Sequence, residues 1–338
     1  MPTDYEQIAQ ENIRRYGTDI SEYGPVLLAN LYSDRTHFIY ELLQNAEDAK
    51  ASWVDFKLFW DRTEARHDGR PFNEDDVRGI CGLGKGTKAD DLTQIGKFGI
   101  GFKSVYAYTK TPQVHSVDEA FCIENYVHPH AIAPVELADS ETLFMFPFDH
   151  ADVPADVAFV EIACRLNDLG VRTLLFLRHI DQITWRIEDG REGDYLREAT
   201  EIAEHTRRVY VLSKIGDQEE QEEEWLVLSR PLNHLNHPEL RVEIAFRVGI
   251  SGRGKTERII AAPNATLVAF FPTEKETHLQ FLIQGPYRTT PARDNIPSYD
   301  QWNRTLIQET ATLVADALVQ IKEMGLLTVG FLETLPIS

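Results

Sequence analysis

The twelve residues from Phe38 to Ala49, FIYELLQNAEDA, constrain this chain more than any other stretch. They are rich in good helix formers and contain neither Gly nor Pro. With Leu42 at zero and about 100° per residue, Phe38, Ala46, Ala49 and Trp53 fall within about 40° of it. That spacing predicts a helix with a core-facing stripe. Glu41, Asn45 and Asp48 follow at spacings of four and three along its flank, on the border between core and solvent. A surface helix would ordinarily set Lys or Arg among such residues, yet the first cation is Lys50. An acidic solvated face is the plain explanation, and a second stretch argues against it.

Between Gly79 and Gly101 the chain holds seven glycines, at 79, 82, 84, 86, 96, 99 and 101. GKGTK (84–88) reads as a loop, and GKFGIGF (96–102) leads into FKSVYAYT, a predicted helix. Glycines ahead of a helix let backbone N–H groups approach an anion, and the helix N-terminus adds partial positive charge. A glycine hinge explains such a string equally well when it stands alone. Paired with the acidic and amide flank of the first helix, it makes a coherent triphosphate site. An Asn carbonyl is a good oxygen ligand for magnesium, a Glu one turn earlier can polarise a water, and the glycines hold phosphates. Asp68 in HDGRPF is the acid expected to read a base.

A rival phosphate motif lies at 249–256, where GISGRGKT matches GxxxxGK[ST] letter for letter. That motif needs a helix of several turns after its Lys and Thr, whereas here ERIIAA runs into Pro263. The expectation is a hairpin, with Lys255 outside any nucleotide site.

Around these stretches, helices are expected at 4–15, 73–80, 156–169, 190–206 and 299–324. Strands are expected at 53–60, 113–116, 120–126, 142–148, 173–178, 183–188, 225–230, 240–250, 257–262, 266–271 and 278–284. Ser33 or Asp34 is the expected cap of the first long helix, and GDQEEQEEE (216–224) a charged loop or hairpin tip. A net charge of −20 argues against sequence-blind binding to nucleic acid or anionic membrane. No apolar run approaches membrane-span length, and Cys81, Cys122 and Cys164 lack CxxC spacing, as in a reduced cytoplasmic protein. The motif-free apolar tail FLETLPIS suggests part of a longer protein.

ELLQNAEDA, HDGRPF, QIGKFGIGFKSVY and SETLFMF, in this order, resemble the gyrase, heat-shock chaperone, histidine kinase and mismatch-repair (GHKL, Bergerat-fold) superfamily. LYSDRTHFIYELLQNAEDAKAS and GKFGIGFKSVYAYTKTP most resemble its sacsin-like and NO VEIN-like branch, with relatives in large bacterial proteins, some of them linked to phage defence. The resemblance implies an α+β architecture. A Bergerat-fold α/β sandwich (1–188), with a mixed, mostly antiparallel sheet and helices on one face, would precede a smaller transducer-like domain (189–338). It implies a magnesium-dependent ATPase, with ATP and Mg2+ as ligands, ADP as product, and further domains or a protein partner unidentified. A nucleotide-dependent homodimer is common in the superfamily. Position by position, it implies Glu41 as general base, Asn45 as magnesium ligand, and Asp48 and Ala49 along the nucleotide. Asp68 and Gly69 would face adenine, although Pro71 replaces the second glycine of Asp-x-Gly-x-Gly and one alignment sets His67 at the base-reading place. Gly84, Thr87 and Lys88 would belong to a lid. Gly96, Lys97, Phe98, Gly99, Ile100, Gly101 and Phe102 would form the phosphate turn, and Thr142 would touch the base through water. Arg293 or Arg288 would reach the γ-phosphate; surface pairing with acidic residues is the alternative. A scaffold that binds ATP with little turnover is the rival function, and a histidine kinase is disfavoured by the lack of a helical dimerisation segment around the histidines.

Overall fold

The computed structural model describes residues 3–20, 34–83, 101–138, 140–235, 237–251, 256–290 and 295–336. Two compact units emerge: residues 1–170, 178–195 and 214–219 form the first, and 171–177, 196–213 and 220–338 the second.

The first unit contains helices α1 (Tyr5–Tyr16), α2 (Phe38–Asp48), α3 (Glu74–Ile80) and α4 (Ala155–Asn167). Its strands are β1 (Trp53–Leu58), β2 (Arg62–His67), β3 (Gln113–Ser116), β4 (Glu119–Glu124), β5 (His128–Ala131), β6 (Thr142–Pro147) and β7 (Gln182–Ile187). They are ordered β7-β1-β2-β6-β3-β4-β5, antiparallel throughout except for β7 beside β1. Val54, Phe56, Ala65, Val114, Phe121, Phe144, Phe146, Ile183 and Trp185 share one buried face, as the period of two requires. The helices cover that face: Phe38 of α2 meets Phe146 edge-on at 5.9 Å. Phe159 of α4 stacks on Trp60 at 3.9 Å. This is the mixed, mostly antiparallel α+β layer expected.

The long helix begins after a 3-10 turn, Arg35–His37, whose cap is Asp34; its carboxylate accepts from the Thr36 N–H at 2.8 Å. Phe38, Ile39, Leu42, Leu43 and Ala46 are buried, while Glu41, Asn45, Asp48 and Ala49 are half-buried along the border. α3 opens with a reciprocal capping box between Asn73 and Asp76.

Two expectations fail. Residues 192–203, expected within a helix, form strand β8 (Glu192–Ala203), which belongs to the first unit up to Tyr195 and to the second from Leu196. Its Glu, Arg, Leu and Ala favour a helix locally, and strand pairing overrides that preference. The apolar run 173–178, expected as a strand, instead enters a 3-10 turn (Val171–Leu174). Its apolar side chains are buried without any ladder, an ambiguity inherent in short apolar runs. FKSVYAYT is helical as expected, in the tighter 3-10 form over Gly101–Ala107.

The second unit adds β9 (Thr206–Ile215), β10 (Gln221–Leu232), β11 (His237–Ser251), β12 (Thr256–Ile260), β13 (Thr266–Ala269), β14 (Phe271–Glu276) and β15 (Leu282–Gln284). They run β14-β13-β15-β11-β10-β9, with β12 also on β11. Val209, Val211, Trp225, Val227, Ala245, Val268 and Leu282 build its core with Leu175 and Phe176. Helices α5 (Gln301–Glu323) and α6 (Val329–Leu332) close the chain. The strands on either side of residues 252–255, β11 and β12, pair antiparallel, Ser251 opposite Thr256 and Gly249 opposite Arg258. The described residues after them, Thr256–Ile260, form a strand and not the helix that a P-loop needs.

Candidate functional site

Helix α2 meets a different partner at each end. Toward its N-terminus, a methyl group placed on Gly101 would fall 1.7 Å from Glu41 Oε2. Only glycine lets the backbone lie so close to that carboxylate. The other oxygen, Oε1, is 3.1 Å from His37 Nε2, one turn earlier, with the two side chains 12% and 8% exposed. Thus Glu41 is held between an imidazole and the last of the seven glycines. Its partner His37 is a site residue that sequence reasoning missed, although the i,i+4 spacing in HFIYE signals it.

At the other end, the Ala49 carbonyl accepts from the Arg70 N–H at 2.7 Å. A Cβ on Gly69 would come within 2.8 Å of the Ala49 Cβ. HDGRPF is thereby docked on the C-terminus of α2. Between the two ends lies Asn45, half-buried, whose side-chain amide bonds to no described residue while its backbone carbonyl accepts from Ala49. An amide oxygen so placed suits a hard cation that completes its shell with water and phosphate oxygens. Among the described residues no cluster of three His, Cys, Asp or Glu could hold a metal alone.

Neighbouring acids on the same elements are consumed structurally. The buried Glu47 carboxylate accepts from the backbone N–H groups of Arg178 (2.7 Å), His179 (3.2 Å) and Ile180 (3.0 Å). Asp68 accepts from the N–H groups of Ser52 (2.7 Å) and Trp53 (3.2 Å), and from the Ser52 hydroxyl. Burial pushes the Asp68 pKa up, but these hydrogen bonds outweigh it and hold the carboxyl below its ordinary value. Asp68 therefore braces the start of β1. His67 faces the opposite way: it is buried, directly across from Thr142, whose hydroxyl is 2.6 Å from that of Ser116.

Phe102 is buried against Phe144 and Phe146, each at 6.0 Å. Lys103, the one cation of GFKS, does not reach toward an anion. Its buried ammonium donates to the carbonyls of Ile80 (2.5 Å) and Tyr126, and burial lowers its pKa to about 8. Arg288 pairs with Asp300 at 3.3 Å, the surface pairing weighed above. Gly84, Thr87, Lys88, Gly96, Lys97, Phe98, Gly99, Ile100, Lys255 and Arg293 lie outside the described residues.

Residues 26–133, which span α2, HDGRPF and Gly101, match the family model of the Sacsin domain. Over these residues the chain is sacsin-like. Human Sacsin is 30% identical over 217 residues, 46% of this chain and 5% of that protein. Protein NO VEIN of Arabidopsis thaliana is 26% identical over 324 residues, 86% of this chain and 11% of that protein. The chain thus spans a small fraction of either curated relative. Among solved structures, the N-terminal domain of a DNA repair protein is similar over 88% of this chain and 98% of its own, at 12% identity and TM-score 0.48. The ATPase domain of Aquifex aeolicus MutL, a bacterial mismatch repair endonuclease, is similar over 83% and 98%, at 12% identity and TM-score 0.40. No described helix is long and apolar enough to cross a membrane.

Proposed function

We propose that the first unit binds a magnesium–nucleoside triphosphate, ATP by family resemblance, along α2 and hydrolyses it slowly. One observation carries this reading: Glu41 lies between His37 and Gly101 while the Asn45 amide, one turn on, engages no described residue. In the proposed mechanism, Glu41 accepts the proton of an attacking water. The His37 N–H donates to Oε1 and orients the carboxylate toward that water. Asn45 supplies a neutral oxygen to Mg2+, and Asp48 and Ala49 line the nucleotide. Bound Mg2+ would offset charge on the phosphate oxygens. Gly69 and Thr142 would flank the base, and Gly96 to Phe102 the phosphates. A nucleotide-driven population shift, and service within a longer chaperone-like or defence protein, belong to the same proposal.

The test is single-turnover hydrolysis with Glu41→Ala. Turnover should vanish into background with nucleotide affinity retained. Normal hydrolysis by this variant would refute the assignment, and intact ATP bound to the wild-type protein would favour a nucleotide-gated scaffold.

A further inference from the structure

The register of the first sheet sets one row of side chains side by side on its helix-facing surface. Val54 on β1 is followed by His67 on β2, Thr142 on β6 and Ser116 on β3. This row lies next to the docking of Gly69 on Ala49. A carboxylate in it could accept a hydrogen bond from an exocyclic amino group, and His67 stands where one alignment sets that acid.

The imidazole has the opposite polarity. Its Nδ1 accepts from the Gly69 N–H at 3.1 Å. A ring nitrogen that accepts carries no proton, so a neutral imidazole bears its proton on Nε2, as a donor. The ring is 3% exposed and lies 6.0 Å from that of Phe144. Burial pushes its pKa down to about 4, against the pull of the Asp68 carboxylate, so the neutral form prevails near pH 7. Asp68 is turned away onto Ser52 and Trp53, and the carboxylate of Glu119, across from Ser116 on β4, is taken up by the hydroxyls of Thr3 and Tyr5. The hydroxyls of Thr142 and Ser116 share one hydrogen bond, and Ser116 Oγ also accepts from the Phe72 N–H at 3.0 Å.

Within the nucleotide site proposed above, on which this rests, we infer that His67 abolishes selection for adenine. The site then takes a purine whose 6-position accepts a hydrogen bond, hypoxanthine or guanine, on at least equal terms. A 6-amino group meets a donor at Nε2, whereas a 6-oxo group meets its complement.

The experiment titrates non-hydrolysable triphosphate analogues of adenosine, inosine and guanosine, with Mg2+, into the full chain. The inosine analogue should bind the wild type at least as tightly as the adenosine one, within about threefold or better. His67→Asp should shift the ratio toward adenosine by roughly tenfold or more, since it supplies the missing acceptor. His67→Asn, whose amide offers either polarity, is the second variant should the aspartate prevent folding. Nitrogen NMR of the wild-type ring should report a neutral Nε2–H tautomer without any nucleotide. Preference for adenosine by more than about tenfold in the wild type, or an Nδ1–H ring, overturns the inference while leaving nucleotide binding intact. Failure of all three analogues to bind sinks the proposed function and this inference with it.

Discussion

Each unit buries a carboxylate against a basic side chain at nearly the same distance. In the second unit, Arg207 and Glu243 are 2.9 Å apart with side chains 9% and 2% exposed. In the first, His37 and Glu41 are 3.1 Å apart. Distance and burial do not separate them; their surroundings do. Glu243 sits within the sheet on β11, with Arg241 at 3.5 Å and Gln284 directly across on β15. Two arginines flank Glu243 inside the core, and Glu243 Oε1, Arg207 Nε and Nη2, Arg241 Nε and Gln284 Oε1 are buried with no described hydrogen-bond partner. Glu41 has a glycine against one oxygen and, one turn on, an amide with no described partner. Unspent hydrogen-bonding capacity is thus present in both places. What sets Glu41 apart is the glycine backbone against its carboxylate and a half-buried amide one turn on at the border with solvent, whereas Glu243 is sealed within the sheet among its arginines.

The comparison breaks most visibly in activity. Glu41→Gln should lower turnover by about 100- to 10,000-fold, the usual contribution of a general base, with thermal stability nearly unchanged. A variant that unfolds would make Glu41 as architectural as Glu243. Next in size, Glu243→Ala should cost about 3–5 kcal/mol in denaturant unfolding, because Arg207 is left buried without its counter-charge. Replacing both Arg207 and Glu243 by apolar residues should recover most of that loss. If the double replacement is as damaging as the single one, the pair has a role beyond charge compensation.

His67 sharpens the contrast through pH. Its folded pKa of about 4 lies below the ordinary 6.5, so between these values the unfolded chain holds the extra proton. Stability is therefore whole above pH 6.5 and falls as pH drops toward 4, by about 3 kcal/mol over the full window. Urea melts across that range should show the slope, and His67→Gln should flatten it. The smallest expected effect is at Gly69. Gly69→Ala would crowd the Ala49 Cβ and carbonyl, at 2.8 and 2.9 Å, and should cost about 1–3 kcal/mol while weakening nucleotide binding. Equal affinity in a destabilised variant would uncouple the HDGRPF docking from the site.

The α2 stripe was legible because a 3.6-residue period survives in any context, and Glu41, Asn45 and Asp48 fall half-buried on its border. Strands β3, β6 and β7 were legible through alternation. Strand β8 was not, since its residues favour a helix and only pairing makes them extended. The choice between His67 and Asp68 lay beyond the sequence for a simpler reason. Adjacent strand residues face opposite ways, and the register against β6 decides which one sees Thr142. Glu47 was equally hidden, because the N–H groups it serves lie more than 130 residues downstream.

The most direct measurement is a calorimetric titration of a non-hydrolysable ATP analogue into wild-type and Asn45→Ala protein, with and without Mg2+. A nucleotide lying along α2 predicts binding that requires the metal and weakens by roughly tenfold or more in Asn45→Ala. Binding indifferent to both metal and Asn45, or none, would contradict it.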